Sequence, residues 1–73
     1  MPKITPIGRR ELIKKLKKLN FDGPFSATRH EYMLKGNHRI FIPNPHGGKY
    51  IGVPIIKAII KQLDIDRDVF LDL

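Results

Sequence analysis

Three histidines at a regular spacing are the residues of this chain that could most readily do chemistry. His30, His38 and His46 lie eight residues apart, a regularity that invites a metal-site interpretation. The chain has no cysteine, however, and no His-x-x-x-His pair that a helix would place on one face. We therefore predict no metal site and no cofactor, and we expect histidine to act by proton transfer.

RNA is a substrate that suits a histidine-based reaction without a metal. Its nucleophile, the ribose 2′-hydroxyl, is already present, so cleavage needs a base, an acid for the leaving oxygen and cations for the phosphorane charge. Histidine exchanges protons near neutral pH. No Ser-His-Asp or Cys-His set competes with this interpretation, and Gly47-Gly48 before Lys49 lacks the strand–loop–helix spacing of a phosphate loop. The residue types alone do not choose among the three histidines.

The basic composition favours a polyanionic partner. The formal net charge is +7 in 73 residues, which suits RNA, DNA, an anionic membrane or an acidic protein. Residues 1–49 carry eleven Lys and Arg against three acids, whereas residues 64–73 carry four Asp against one Arg. This acidic end argues against a uniform cationic coat, and the alternative is that the charge serves only solubility.

The length and hydropathy of the chain indicate one cytoplasmic domain over residues 1–73. A chain of this size holds one domain, and it contains no repeats or linkers. No run of about 18 apolar residues is present, so no membrane span is expected. The first residues lack the apolar stretch of a signal peptide, and the absence of cysteine suits a reducing compartment.

Two helices with apolar stripes frame the predicted fold. Residues 8–19 predict an amphipathic helix that Asn20 and Phe21 close, and residues 53–63 predict a second one with Pro54 in its first turn. Asp66 can cap a short last helix. The first apolar stripe comprises Leu12, Ile13, Leu16 and Leu19, and the opposite arc comprises Lys14, Lys15, Lys17 and Lys18.

The segment between the helices predicts antiparallel strands. A turn over residues 21–24 leads to a short strand over 25–28 and a longer one over 30–35, and Gly36-Asn37 joins this to a strand over 38–42. His30 and His38 flank that hairpin, so they could face one another, or lie on opposite faces if the register shifts by one residue. We predict a two-layer α+β sandwich with both helices on one sheet face, a topology similar to the double-stranded-RNA-binding domain.

Several segments together resemble a known family over nearly the whole chain. They are RELIKKL at 10–16, LNF at 19–21, Gly23-Pro24-Phe25, TRHEYM at 28–33, KGN at 35–37, IPNPH at 42–46 and IIKQLDI at 59–65. In their order and spacing they resemble the HicA family of toxin–antitoxin mRNA interferases. Two departures stand out, since Asn20 replaces a glycine that is usual before Phe21, and Ala27-Thr28-Arg29 replaces glycines often found before the family's catalytic histidine.

The resemblance implies that His30 is the catalytic residue. His38 would then be a strand residue and His46 a loop residue. A second alignment puts Gly36-Asn37-His38 on the same glycine-x-histidine pattern, but it leaves too few residues for the third strand before residue 53. Members of the family cleave mRNA without a metal and without the ribosome, and each is neutralised by a HicB-type antitoxin that covers the active site.

The sequence therefore predicts the toxin of a toxin–antitoxin pair, a metal-independent mRNA endoribonuclease with His30 as general base or acid. The residues predicted to contact RNA or stabilise the transition-state charge are Lys14, Lys15, Lys17, Lys18, Arg29, Lys35 and Arg39. One alternative is a non-catalytic RNA-binding module, although the second helix offers only Lys57 and Lys61 for duplex contacts. Another is an interaction protein that pairs a partner strand with its sheet edge.

Overall fold

The computed structural model describes residues 3–26, 30–43 and 50–73 of the chain. It confirms the predicted α+β class, with a helix, three antiparallel strands, a second helix and a short last helix. In chain order the elements are β1 (Ile7–Gly8), α1 (Arg9–Lys18), β2 (Asp22–Ser26), β3 (Glu31–Lys35), β4 (His38–Ile42), β5 (Tyr50–Ile51), α2 (Val53–Leu63) and α3 (Arg67–Leu71).

The three-stranded sheet has one buried face and one exposed face. Its strands run in the order β2-β3-β4, and Met33 pairs with Ile40 across β3 and β4. Met33, Ile40 and Ile42 are fully buried and share one core with the apolar residues of all three helices. Alternate residues point the other way, so Phe41 is 53% exposed. The helices therefore cover the inner face, and the outer face is open.

The start of β2 differs from the prediction, because the strand begins at Asp22 rather than at residue 25. The register shifts between Asp22 and Phe25, and Gly23 has φ +125° beside a cis bond to Pro24. A Cβ on Gly23 would lie 3.0 Å from the Tyr32 carbonyl oxygen, so this irregular segment requires glycine. Proline is tolerated because β2 is an edge strand. The predicted continuation through residues 27 and 28 lies outside the described residues.

A second, two-stranded sheet was not predicted. Ile7 pairs with Ile51, and Gly8 with Tyr50. Strands of two residues are too short to show the alternation that identifies a strand in sequence. Because β1 leads directly into α1 and β5 lies just before α2, the pairing brings the beginnings of the two helices together.

The end of α1 confirms the predicted closure at residues 20 and 21. The amide of Phe21 donates to the Leu16 carbonyl over 3.1 Å, and the amide of Asn20 donates to the Lys17 carbonyl over 2.9 Å, the two bonds of a Schellman motif. Asn20 has φ 72°, in the left-handed region that glycine favours and asparagine tolerates. The conformation thus accounts for an asparagine where the family usually has glycine.

The prediction that Lys15 lies on the exposed arc of α1 is wrong. Lys15 is only 6% exposed, because α3 packs over this part of α1. Its ammonium donates to the carbonyl oxygens of Phe70, Leu71 and Leu73 over 3.1, 3.3 and 3.2 Å. It also lies 5.3 Å from the centre of the Phe70 ring. Lys15 therefore satisfies the last carbonyls of α3 and is not available to an RNA phosphate.

Candidate functional site

His30 lies at the mouth of a groove between the sheet and α2. It is exposed and directly precedes β3, and the pairing of Glu31 with Ile42 places it beside the end of β4. The groove holds about 250 Å³. Its other lining residues are Phe41, Ile42 and Pro43 from the end of β4 and Ile55, Ala58, Ile59 and Gln62 from α2.

The sequence of α2 accounts for the wall of this groove. The four lining residues of α2 have the spacing i, i+3, i+4 and i+7, which places them on one face of a helix. Ile59 is buried, whereas Ile55 is 44% exposed. The wall is thus apolar at its base and open at its rim, where the Gln62 side chain adds an amide that can both donate and accept hydrogen bonds.

An ion pair links the residue that follows His30 to α1. Arg9, the first residue of α1, pairs with Glu31, the first residue of β3. Both side chains are about a third exposed, at 29% and 34%, so the pair contributes less than about 1 kcal/mol to stability. Its larger consequence is positional, since it ties the entry to β3 to the start of α1 and directs the Glu31 carboxylate towards Arg9.

His38 lies at the opposite end of the same hairpin. It pairs with Lys35 beside the turn, and about 14 Å of strand separates the first and last pairs of the ladder. The prediction that His30 and His38 could face one another is therefore wrong. The His38 ring packs edge-on against Phe21, with 5.8 Å between ring centroids. His46 lies outside the described residues.

The predicted cations are spread over the molecule. Lys14, Lys17 and Lys18 are exposed on α1, whose last turn lies near the His38 end, where Leu19, Phe21, Lys35 and His38 line a second groove of about 290 Å³. Arg39 lies on the outer sheet face. Among the described residues, none of these cations lines the His30 groove. Arg29, the predicted cation next to His30 in sequence, lies outside the described residues.

A row of aromatic side chains on the outer sheet face was missed by sequence reasoning. Phe25 pairs with Tyr32, and Tyr32 pairs with Phe41. The ring centroids are 5.6 and 6.2 Å apart, and Phe41 also lines the His30 groove. The signal was present in the predicted hairpin, because a two-residue turn at 36 and 37 already places residue 32 opposite residue 41.

The described part of the chain contains neither a metal-binding cluster nor a membrane-spanning helix. Within residues 3–26, 30–43 and 50–73, no group of three or more His, Cys, Asp or Glu side chains could hold a metal ion. No helix in these same ranges combines the length and the apolar character needed to cross a bilayer.

The residues of the His30 groove and of the aromatic row all lie within the range that a family model matches. A family model described as the HicA toxin of bacterial toxin–antitoxin systems matches residues 9–65 of the chain. The matched range runs from the start of α1 to just beyond α2 and includes His30. Neither the search of curated proteins nor the search of solved structures found a match.

Proposed function

Because the chain belongs to the HicA toxin family of bacterial toxin–antitoxin systems, we propose that it is an mRNA endoribonuclease whose catalytic residue is His30. The observation that carries the proposal is the position of this histidine. Its side chain is exposed at the mouth of a groove, and the Arg9–Glu31 ion pair holds the next residue in place. An imidazole that is accessible beside a groove can come within hydrogen-bond reach of a bound substrate, as a general acid or base must.

The proposed reaction is a transesterification within the RNA. The ribose 2′-oxygen attacks the adjacent phosphorus, and the bond from phosphorus to the 5′-oxygen of the next nucleotide breaks. The products are a 2′,3′-cyclic phosphate and a free 5′-hydroxyl. His30 takes the proton of the 2′-hydroxyl or gives one to the leaving 5′-oxygen, a role that contributes roughly 10²–10⁴ in rate. No step requires a metal or the ribosome.

The groove beside His30 suits one nucleobase. At about 250 Å³ it is smaller than the roughly 300–1,000 Å³ of pockets for drug-sized ligands. Phe41 offers an aromatic surface and Gln62 offers hydrogen-bonding groups, the two means by which proteins hold an unstacked base. We propose that a base next to the scissile phosphate enters this groove.

The exposed cations supply the attraction to the RNA backbone. Lys14, Lys17, Lys18, Lys35 and Arg39 are exposed, and they remain proposed RNA contacts together with Arg29. Each phosphate that they neutralise releases counterions, so the affinity for RNA falls steeply as salt concentration rises. We further propose that a HicB-type antitoxin covers the His30 groove, since an open active site must be blocked when the toxin is silent.

Cleavage of a long single-stranded RNA in the presence of EDTA tests the proposal. We expect the parent chain to yield fragments with cyclic phosphate ends, and we expect a folded His30→Ala variant to be slower by about 100-fold or more. Equal cleavage by both chains would refute the assignment of His30. Binding of RNA without cleavage by either chain would instead favour a non-catalytic RNA-binding module.

A further inference from the structure

The outer face of the three-stranded sheet carries a continuous aromatic row, which comprises Phe25, Tyr32 and Phe41. These residues are direct register partners on β2, β3 and β4, so their rings lie side by side across the sheet. Phe25 is 42% exposed and Phe41 is 53% exposed. Because large apolar side chains are usually withdrawn from water, an exposed group of this kind marks a binding surface.

A cation accompanies the row. The guanidinium of Arg39 lies 4.7 Å from the centre of the Tyr32 ring, within the range of a cation–π contact. Arg39 belongs to the next row of side chains towards the turn, with Leu34 and Asp22 as its register neighbours. Planar rings next to an arginine are the combination on which single-stranded nucleic acids stack their bases and anchor their phosphates.

The row is continuous with the His30 groove, because Phe41 belongs to both. A single strand whose bases lie on the row therefore runs towards the proposed catalytic histidine. The overall charge of +7 favours a polyanion as the occupant of this face, and rings on which bases can stack favour RNA over an acidic protein. Unpaired bases fit the row better than a duplex, since a duplex keeps its base faces inside the helix.

We propose that Phe25, Tyr32 and Phe41 form a stacking platform for the bases of single-stranded RNA that flank the cleaved bond. This inference rests on the proposed function for its connection to His30, but RNA binding by the platform does not depend on cleavage. The platform gives the chain a preference for unpaired RNA, and it sets the direction in which a strand enters the active site.

The test uses the His30→Ala chain, so that cleavage of the RNA is slow during the measurement. A single-stranded RNA of about 12 nucleotides, within the usual range of single-strand binding sites, carries 2-aminopurine, whose fluorescence is quenched when it stacks on a ring. We expect binding to quench this fluorescence. We expect Tyr32→Leu and Phe41→Leu each to weaken binding about tenfold, the effect of losing one base–aromatic stack, and to reduce the quenching.

Two further variants separate stacking from general damage to the surface. Tyr32→Phe keeps the ring and is expected to bind like its parent. Tyr50→Leu removes an aromatic side chain that is 63% exposed on β5, outside the row, and is also expected to leave binding unchanged. The thermal unfolding of every variant is measured alongside, and leucine is expected to preserve the fold at Phe41 and Tyr50, which are exposed, and at Tyr32, which is partly exposed on the outer face.

The outcomes for the platform and for the nuclease are distinct. Unchanged affinity and quenching in Tyr32→Leu and Phe41→Leu would overturn the platform, whether or not His30 is catalytic. Loss of HicB-type antitoxin binding in those variants, with RNA binding intact, would overturn it as well and assign the face to protein. Weaker RNA binding in the row variants, combined with normal cleavage by His30→Ala, would support the platform and refute the assignment of His30 as the catalytic residue.

Discussion

The two ends of the β3–β4 hairpin each carry one histidine, and they differ in what surrounds it. At one end His30 stands exposed beside an open groove that α2 and the end of β4 form. At the other end the His38 ring packs against Phe21, a core residue that is 5% exposed. Both histidines are exposed and each lines a groove, but the His38 ring also makes an edge-on contact with Phe21, whereas His30 lies beside the apolar wall of α2.

The surroundings of a histidine therefore depend on its neighbours in register rather than on its neighbours in sequence. Both histidines stand next to an element end, and both have a basic residue adjacent in sequence, Arg29 or Arg39. The two histidines lie at opposite ends of a ladder of five residue pairs, so they have different neighbours. The exposed lysines of the last turn of α1 belong to the His38 end, so charge alone would favour His38 over His30.

The largest expected difference between the two ends of the hairpin is the loss of stability when the phenylalanine at each end is replaced. Phe21→Ala removes a buried ring at the His38 end and is expected to lower the free energy of unfolding by about 3–5 kcal/mol. Phe41→Ala, at the His30 end, is expected to cost less than about 1 kcal/mol, because the ring is 53% exposed and exposed substitutions have small effects. Urea unfolding of both variants measures the difference, and similar losses would contradict it.

A smaller effect distinguishes the lysines of α1. Lys15→Met keeps the apolar stem but removes the ammonium that three carbonyls accept, and we expect it to lower stability by about 2 kcal/mol. Lys14→Met is the matched control on the exposed arc and should change stability by less than about 0.5 kcal/mol. For RNA affinity we expect the larger effect from Lys14→Met, since of these two lysines only Lys14 can reach a phosphate. Equal unfolding midpoints would show that Lys15 does not cap α3.

The smallest effect concerns the left-handed residue that closes α1 at the His38 end. Asn20→Ala is expected to lower stability by about 1 kcal/mol, because alanine is strained at φ 72°. Asn20→Gly should be at least as stable as the parent, since glycine adopts this conformation without strain. Thermal unfolding of the pair provides the measurement. A more stable Asn20→Ala variant would mean that the Schellman closure is absent in solution.

Most of the fold could be predicted from local patterns. The apolar spacing of α1 and α2, the turn at Gly36-Asn37 and the closure at Asn20 each predict their element directly, because the interactions involved span only a few residues. The β1–β5 pair could not be predicted, since its two-residue strands exist only because distant segments meet. The start of β2 was missed for a related reason, as its glycine and proline are typical of a turn and are tolerated here by an edge strand.

The sequence indicated the histidine of the candidate site but not the side chains that surround it. The resemblance to a family indicated His30, and the family comparison supports that resemblance over residues 9–65. The burial of Lys15 was not foreseeable, because it depends on where α3 docks. The aromatic row was foreseeable from the hairpin register, but its exposure required knowing which sheet face the helices cover.

The assignment of the chemistry to His30, and not to His38, is our main proposal. Its most direct test is the single-turnover cleavage rate of one RNA by His30→Ala and by His38→Ala, with enzyme in excess and both variants shown to be folded. We expect the rate to fall by roughly 10²–10⁴ for His30→Ala and to stay close to that of the parent for His38→Ala. A larger loss of rate for His38→Ala than for His30→Ala would contradict the assignment of His30 and place the active site at the other end of the hairpin.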